Sequence, residues 1–426
     1  MQEIKVSKTI LLLFSLFLYP IIIGKFAWIC YLLLYSTASS YIILNKSLVG
    51  ILLRNLNLKE LSNILLFIFL IVLSVLYPIV NGGDDLSYVN VVLSILRQFI
   101  ILFFLMLTLV KKYQSKFTIR IFMYYYVCAT CLYVLSTFVF LFFPSLREVW
   151  KSIIGVNPQL ERLFATYGYT ARFGWSGFSG FRMTISCTIS LIFTLMLYFE
   201  PTTSYRIYYR RFIILLMLSF IGNMFYGRMG IIASLICFIL ALILYHKINI
   251  LKTVNFSIVA IVIFIILFFL KERITIINQW YDWATTPFFN FISTGSFNNY
   301  SAEHLLNDMI FMPESKTLFW GDGRYVDAQT GLYYMRTDSG FMRQLLFWGL
   351  GGTFLSYLLV VKTIFQTKRK NKVFQFLLLV AFCIFEYKGE VYYSFIPLAF
   401  LLFLSEVAYT QKGYLFSYFR SKGVEK

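Results

Sequence analysis

A series of long apolar runs, recurring from one end of the chain to the other, constrains its fold more than any other feature. Hydrophobic residues make up 59% of the chain and charged residues 13%, which leaves too little polar material to cover separate soluble domains. A bilayer core about 30 Å thick is crossed by about 20 apolar residues in a helix. Runs of that length include residues 61–80, 86–110, 117–143 and 345–365. We therefore expect an all-α polytopic membrane protein.

The hydropathy pattern predicts about twelve transmembrane helices in a single transmembrane domain, residues 1–426. They cover residues 9–23, 26–44, 61–80, 86–110, 118–143, 183–199, 212–227, 229–245, 257–270, 345–366, 373–387 and 392–408. The first run has no small-residue cleavage site, so we interpret it as an anchor and not as a removable signal peptide. Two long loops, at about 144–182 and 271–344, hold most of the polar chemistry of the chain.

Positive charge is concentrated in alternate loops. These loops and the two termini hold 23 of the 38 lysines and arginines but only four of the 19 acids. They are the N-terminus, residues 45–60, 111–120, 200–211, 246–256, 362–372 and the tail from 409. The positive-inside rule makes this set cytoplasmic and puts the two long loops on the other side. The net charge of +19 thus reflects membrane topology, and we expect membrane lipid as a partner but no nucleic acid.

Cysteines and histidines predict neither a disulfide framework nor a metal site. All six cysteines lie in apolar runs, and the pair Cys128 and Cys131, three residues apart in a helical run, is expected to pack. Two histidines alone do not form a metal site. His304 lies in a segment where Ser301 is placed to cap a short amphipathic helix, so we consider it a possible accessory residue.

The first long loop carries arginines among aromatic residues and glycines. Arg162, Arg172 and Arg182 occur within the segment ERLFATYGYTARFGWSGFSGFRM. Guanidinium groups fit phosphate oxygens, and glycines let a backbone approach a ligand closely. The pattern suits a phosphate-bearing substrate at the membrane surface. The alternative is that these arginines form a basic rim at the membrane surface, with their side chains extended into water.

Two further arginines lie in or beside apolar helices. Arg228 occupies a tight turn, GNMFYGRMGIIAS, with almost no loop to solvate it, and is expected to face protein or ligand. Arg97 lies near the middle of a predicted span, so we expect it to point into the helix bundle. Pairing of Arg97 with a buried carboxylate is the structural alternative.

The end of the second long loop places a carboxylate just before a predicted span. Asp338 follows Arg336 by two residues and precedes Arg343 by five. Nearby opposite charge keeps a carboxylate ionised, which suits a general base or an electrostatic anchor. The alternative is that Asp338 or Ser339 only caps the helix that follows. A further acidic pair, Asp84–Asp85 in the short loop NGGDD, is most simply a solvated turn.

With its topology and motifs, the chain resembles the Wzy-type O-antigen and capsular polysaccharide polymerases, and more distantly the O-antigen ligases. One shared motif is the arginine-containing turn, GRMG at 227–230. The other is Asp338 and Ser339 followed by nine residues and then Gly349 and Gly352. The ligases have histidine at the first of these positions, so the departure to Asp338 puts a histidine base and a simple ligase assignment in doubt.

The resemblance implies a GT-C-like glycosyltransferase of the bacterial inner membrane that acts at the periplasmic face, with both long loops periplasmic and both termini cytoplasmic. Donor and acceptor would be undecaprenyl-diphosphate-linked oligosaccharides, with no cofactor or metal, and a chain-length regulator protein would be a partner. Asp338 would be the catalytic base of an inverting reaction. The residues expected to bind the diphosphate are Arg172, Arg228, Arg162, Arg182, Arg343 and Arg336. Arg97 and His304 would be accessory.

Some alternatives stay open at this point. Trp175, Tyr325 and Tyr333 either stack on sugars or pack at the membrane interface. An O-antigen ligase, another lipid-linked glycosyltransferase, and a lipid-linked oligosaccharide flippase or transporter share much of this topology. A flippase is expected to show related halves and charges along its central spans, and neither is evident in the sequence.

Overall fold

The computed structural model describes residues 6–54, 58–156, 161–162, 172–200, 207–245, 305–365 and 372–421, together with isolated residues between 265 and 293. Within these residues the α-helices are α1 (Lys8–Leu18), α2 (Ala27–Leu44), α3 (Lys46–Leu53), α4 (Leu58–Val80), α5 (Ser87–Tyr113), α6 (Ile119–Phe142), α7 (Pro144–Ile154), α8 (Phe181–Phe199), α9 (Tyr209–Tyr226), α10 (Arg228–Leu244), α11 (Ser315–Trp320), α12 (Gly340–Ile364), α13 (Val373–Lys388), α14 (Tyr392–Thr410) and α15 (Lys412–Ser421). Short 3-10 turns cover Gly24–Phe26, Gln114–Lys116 and Tyr334–Arg336. A two-stranded antiparallel hairpin consists of β1 (Phe173–Gly174) and β2 (Gly177–Phe178).

The helices confirm that the chain is an all-α membrane protein. Eleven of the twelve predicted segments coincide with a helix, and the segment 257–270 lies almost wholly outside the described residues. Among the described residues, seven helical segments are long and apolar enough to cross a bilayer. They are Gly24–Leu44, Leu61–Val80, Ser87–Lys116, Ile119–Phe142, Phe181–Phe199, Gly340–Ile364 and Tyr392–Thr410. The count of twelve spans and the sides of the two long loops stay predictions.

The chain forms two compact units. Unit 1 consists of Met1–Thr37 and Arg120–Phe297, and unit 2 consists of Ala38–Ile119 and Asn298–Lys426. That the whole chain is one transmembrane domain stays a prediction.

In unit 1, α8, α9 and α10 pack closely around small and polar side chains. A Cβ atom on Gly222 of α9 would lie 2.6 Å from Cys187 Sγ of α8, so only glycine allows this approach. Asn223 donates a hydrogen bond to Ser234 Oγ of α10 at 2.7 Å and accepts one from Thr188 of α8 at 3.3 Å. Lipid chains are as apolar as leucine, so small residues and interhelical hydrogen bonds hold such helices together.

The first long loop folds onto unit 1 through two tryptophans. Trp150 of α7 donates its indole N–H to Trp175 O at 2.8 Å, and Trp175 donates its own to Tyr19 O at 2.8 Å. α7 begins with Pro144, whose ring suits a first helical position, and ends at Gly155, whose φ of +63° is left-handed. The loop therefore packs as a structured cover on the helices of its own unit.

In unit 2, α12 is broken at Gly349, whose φ is +63° and ψ is −174°. The break leaves carbonyl groups without helical partners, and the preceding loop supplies donors for them. The N–H groups of Asp322 and Gly323 donate to the carbonyl oxygens of Leu346 and Phe347 at 2.7 and 3.2 Å. A Cβ atom on Gly349 would lie 2.7 Å from the nitrogen of Gly321, so the contact between loop and helix requires glycine.

The predicted amphipathic helix near His304 is only partly visible. Ser301 and His304 lie outside the described residues. Leu305–Met309 forms a single π-helical turn, in which Met309 is buried.

Candidate functional site

The turn that carries Arg228 fits closely against the first turn of α8. Gly227 is extended, with φ at −180°, and a Cβ atom on it would lie 2.7 Å from Thr184 Oγ1. A Cβ atom on Gly230 would overlap Asn223 Oδ1 and Thr184 Cγ2. Both glycines of the GRMG motif are therefore required by packing between helices, independently of any substrate.

Arg228 itself is half-buried and is the first residue of α10. The amide N–H groups of a first helical turn point outward and carry partial positive charge. Because the Arg228 side chain belongs to the same turn, its guanidinium group and these amide groups both favour binding of an anion at this end of α10.

Arg172 and Arg228 are connected through the start of α8. Arg172 accepts a hydrogen bond at its carbonyl oxygen from Ser179 N at 2.8 Å, and its Nη1 lies 4.0 Å from the position of a Cβ on Gly180. Thr184, which packs against Gly227, donates to Gly180 O at 3.4 Å. The structure thus brings the predicted residues Arg172 and Arg228 to the same end of α8.

Two other arginines of the first loop are exposed. Arg182 lies in the first turn of α8, close to this region in sequence. Arg162 follows Glu161, whose carboxylate pairs with Lys151 of α7. Their part in binding a substrate stays a prediction.

Trp175 packs inside unit 1. Its ring lies 4.9 Å from that of Tyr133 and 6.5 Å from that of Tyr19. Tyr133 in turn forms hydrogen bonds with the hydroxyls of Ser176 and Ser179 at 2.7 and 2.6 Å. Of the two interpretations of Trp175, these contacts favour packing over sugar stacking.

In unit 2, Asp338 is exposed immediately before α12. The N-cap residue is Ser339, but its hydroxyl forms no capping hydrogen bond. Thr337 fixes this end of the loop by donating its hydroxyl to Met309 O at 2.8 Å. Lys388, at the end of α13, lies near enough to Asp338 for their charges to interact, a proximity that the sequence pattern did not suggest. Arg336 is exposed.

Arg343 is buried in an aromatic and acidic environment. Its guanidinium lies 3.6 Å from the ring centre of Tyr333 and 4.3 Å from that of Tyr325. Its Nη2 forms an ion pair with Glu390 Oε2 at 3.3 Å. Tyr325 is buried, whereas Tyr333 is 42% exposed and presents part of its ring to the outside.

Glu390, from the turn between α13 and α14, connects several segments of unit 2. Besides the ion pair with Arg343, it accepts hydrogen bonds from Gln344 Nε2 at 2.7 Å and from the Tyr325 hydroxyl. Tyr88 of α5 donates to Gln344 Oε1 at 2.9 Å. Burial, followed by the nearby Glu390 carboxylate, raises the pKa of Tyr325, so this phenol remains a hydrogen-bond donor. The network ties the loop, α5 and α12 to one carboxylate.

A second buried carboxylate, Glu386, lies beneath the start of α12. It accepts hydrogen bonds from Val391 N at 2.7 Å and from the Tyr357 hydroxyl at 3.1 Å. A Cβ atom on Gly340 would lie 2.5 Å from its Oε1, so the helix start rests directly on this carboxyl. Sequence reasoning missed Glu386 and Glu390. The available signal was two acids in CIFEYKGEVYYS, where a turn between apolar helices offers little water.

Asp85 anchors the second long loop and is not a solvated turn residue. Its Oδ2 accepts hydrogen bonds from the N–H groups of Tyr325 and Val326 at 2.6 and 2.8 Å, and its Oδ1 accepts one from Ser87 N at 2.9 Å. Partial burial raises the pKa of Asp85, but the hydrogen bonds from Ser87 and the two backbone amides outweigh it and hold the pKa below its usual value.

Arg97 does not point into the bundle as expected. Its side chain is exposed, and its Nη2 donates at 3.2 Å to the carbonyl oxygen of Asn90, seven residues nearer the start of α5. A long side chain on a helix leans toward the N-terminus of that helix. The Arg97 guanidinium accordingly extends to a backbone oxygen of its own helix and not to a buried carboxylate. Within the described part of the chain, no group of three or more His, Cys, Asp or Glu residues is arranged to hold a metal ion.

No protein-family model matches this chain, no curated protein sequence matches it, and no solved structure matches its fold. The resemblance to the polysaccharide polymerases therefore stays a prediction from topology and two motifs.

Proposed function

We propose that this protein is a polysaccharide polymerase, a glycosyltransferase that joins undecaprenyl-diphosphate-linked oligosaccharide repeat units at the periplasmic face of the bacterial inner membrane. In this proposal the chain crosses the membrane about twelve times, with both termini in the cytoplasm. The loops 144–182 and 271–344 are periplasmic, and a chain-length regulator protein is a partner.

The observation that carries the proposal is the arrangement around the start of α12. Asp338 is exposed to solvent, while Arg343, five residues later, is buried and held by Glu390. An exposed carboxylate on a firmly held helix start is open to a substrate hydroxyl and has a fixed position, as a general base requires.

The proposed reaction forms one glycosidic bond and breaks one. An acceptor hydroxyl oxygen attacks the anomeric carbon of the donor's first sugar, and the bond from that carbon to the diphosphate oxygen breaks with both electrons leaving on the diphosphate. The hydroxyl proton passes to the Asp338 carboxylate. Direct attack on the face opposite the leaving group inverts the anomeric configuration. Undecaprenyl diphosphate is the second product.

Positive charge would stabilise the diphosphate as it leaves. Arg172 and Arg228 are the leading candidates because both lie near the start of α8, where the α10 N-terminus adds partial positive charge. Arg162, Arg182 and Arg336, all exposed, are further candidates. Arg343 already pairs with Glu390, so in this proposal it holds the loop in place.

A flippase or transporter is the second candidate, and a specific observation favours it. Glu386, Glu390 and Arg343 are buried in a membrane protein, and buried ionisable groups are typical of proton-coupled carriers. The two candidates differ in product, because a carrier moves lipid-linked units without joining them. A ligase would instead require an acceptor such as lipid A-core.

Reconstitution of the purified protein with lipid-linked repeat units alone tests the proposal. A polymerase produces a ladder of longer oligosaccharides without lipid A-core.

Arg228→Ala should abolish the ladder, because the leaving diphosphate loses a stabilising cation. Cells carrying this variant should accumulate single repeat units. Arg210→Ala is the matched control, since Arg210 is exposed at the other end of α9, and it should leave the ladder intact. No ladder from the wild-type protein would exclude polymerase activity under these conditions and favour the carrier.

A further inference from the structure

Three short segments that are distant in sequence meet at one end of unit 2. They are α3, the 3-10 turn Gln114–Lys116 that follows α5, and the C-terminal helix α15. α15 packs against both of the others. A hydrogen bond of 2.9 Å between the hydroxyls of Ser47 and Tyr418 joins α3 to α15. We call the outward surface of these three segments the basic surface.

Both helices of the basic surface are docked by apolar pairs four residues apart. Leu48 and Leu52 of α3 are buried, and so are Leu415 and Phe419 of α15. Residues four apart lie on the same side of a helix. The opposite side of each helix therefore faces outward, which is where its polar residues lie.

The outward side carries cations and no acids. Of the cations in these three segments, Lys46, Lys116 and Arg420 are exposed and Lys412 is half-buried. Arg54, which directly follows α3, and Lys111 and Lys112, in the last turn of α5, are also exposed and are counted as part of the basic surface. None of the three segments contains Asp or Glu. No ion pair found among the described residues involves these cations. Lys111 and Lys412 lie over the rings of Tyr41 and Tyr409, but within the described part of the chain no carboxylate pairs with any of these cations. An anionic ligand would complement their charge.

The position of the basic surface identifies the kind of anion. It lies at the C-terminal ends of two candidate membrane spans, Ser87–Lys116 and Tyr392–Thr410. Large apolar side chains are exposed beside the cations: Leu44 is 82% exposed, Tyr414 60% and Phe416 39%. Cations beside exposed aromatic and aliphatic groups are typical of a helix at the boundary between headgroups and hydrocarbon. A soluble acidic protein would complement the charge but not the apolar groups.

We propose that the basic surface binds the phosphodiester headgroups of anionic phospholipids, such as phosphatidylglycerol. Lysine ammonium groups and the guanidinium groups of Arg54 and Arg420 contact the phosphate oxygens, while Tyr414 and Phe416 enter the acyl region. This binding is independent of the proposed polymerase activity.

Binding of a fluorescent lipid to the full-length protein tests the proposal. Purified protein in a neutral detergent is titrated with NBD-labelled phosphatidylglycerol and, separately, with NBD-labelled phosphatidylcholine, and fluorescence polarisation gives each Kd. The wild-type protein should prefer phosphatidylglycerol by about tenfold or more. Each cation near a membrane surface contributes about fivefold to such binding. The triple variant Lys46→Gln, Lys116→Gln, Arg420→Gln should therefore lose most of the preference.

A control variant removes the same charge elsewhere in unit 2. Lys316→Gln, Arg324→Gln, Lys362→Gln changes three exposed cations of unit 2 that lie outside the basic surface and should keep the preference. Should the first triple variant fail to fold, Arg420→Gln alone should still weaken phosphatidylglycerol binding about fivefold. Equal loss in both triple variants, or equal binding of the two lipids by the wild-type protein, would overturn the proposal. Tighter binding of a soluble poly-glutamate peptide than of phosphatidylglycerol would also overturn it and assign the basic surface to an acidic protein.

Discussion

The ion pair between Arg343 and Glu390 gives a quantitative prediction. The two side chains meet at 3.3 Å and are nearly inaccessible, with Arg343 8% and Glu390 4% exposed. Exposed ion pairs contribute about 0–1 kcal/mol to the free energy of unfolding. Removing one partner of a buried pair costs about 3–5 kcal/mol, because it leaves the other charge without compensation.

We expect Glu390→Gln to lower the free energy of unfolding by about 3–5 kcal/mol. The glutamine keeps the shape of the side chain and one acceptor oxygen, so the loss reports mainly on the uncompensated Arg343 guanidinium. Arg343→Met should also destabilise the protein. The double variant contains neither charge, so its loss should be smaller than the sum of the single losses by about 1–3 kcal/mol.

Equilibrium unfolding by sodium dodecyl sulfate in mixed micelles, followed by tryptophan fluorescence, measures all four proteins of this cycle. Arg336→Met is the reference, because it changes an exposed arginine of the same unit and should change the free energy of unfolding by less than about 0.5 kcal/mol. If the loss of unfolding free energy in the double variant equals the sum of the two single losses within about 0.5 kcal/mol, the reasoning is refuted. Such a result would mean that the two charges do not interact in the folded protein.

Two further predictions concern the second long loop and the break in α12. Gly349→Ala should destabilise the protein by about 2–6 kcal/mol in the same assay, because alanine is strained at this φ and ψ and its Cβ meets the loop backbone. Gly351→Ala, two residues away with open space around its Cβ, should be neutral or stabilising by about 1 kcal/mol, and a similar loss in both variants would contradict the packing argument. Because the pKa of Asp85 is lowered in the folded state, its stabilisation is present above the unfolded pKa of about 3.9 and is lost as pH falls through the folded value. Hydrogen exchange of the Tyr325 and Val326 amides, corrected for intrinsic rate, should accelerate below about pH 4, and Asp85→Asn should remove that acid dependence; an unchanged acid dependence in the variant would contradict it.

The sequence predicted the helices well because lipid imposes a simple rule on them. Apolar runs must form helices that satisfy their own backbone hydrogen bonds, so hydropathy alone located α5 and α14 to within a few residues. The same rule does not determine where a single long side chain goes. Arg97 was expected to turn inward, but its flexible chain reaches a backbone oxygen of its own helix.

The candidate site was harder to predict because its contacts join residues far apart in sequence. The sequence motif that contains Asp338 and Gly349 was recognised. Glu390, which contacts Arg343 and Gln344 within that motif, comes from another turn of unit 2. Asp85, some 240 residues before its partner Tyr325, had the composition of an ordinary turn. Hydropathy reports burial of a segment, whereas such hydrogen bonds depend on tertiary packing that a single sequence does not display.

The most direct test of the proposed mechanism is the rate of chain extension by Asp338→Asn in the reconstituted system. Asp327→Asn is the matched control, because Asp327 lies in the same loop and asparagine keeps the turn in which it accepts bonds from the Gln329 and Thr330 amides. If Asp338 accepts the proton of the acceptor hydroxyl, its variant should extend chains about 10²- to 10⁴-fold more slowly, while the control stays within about twofold. Wild-type rates from Asp338→Asn would contradict the role of this carboxylate as the base.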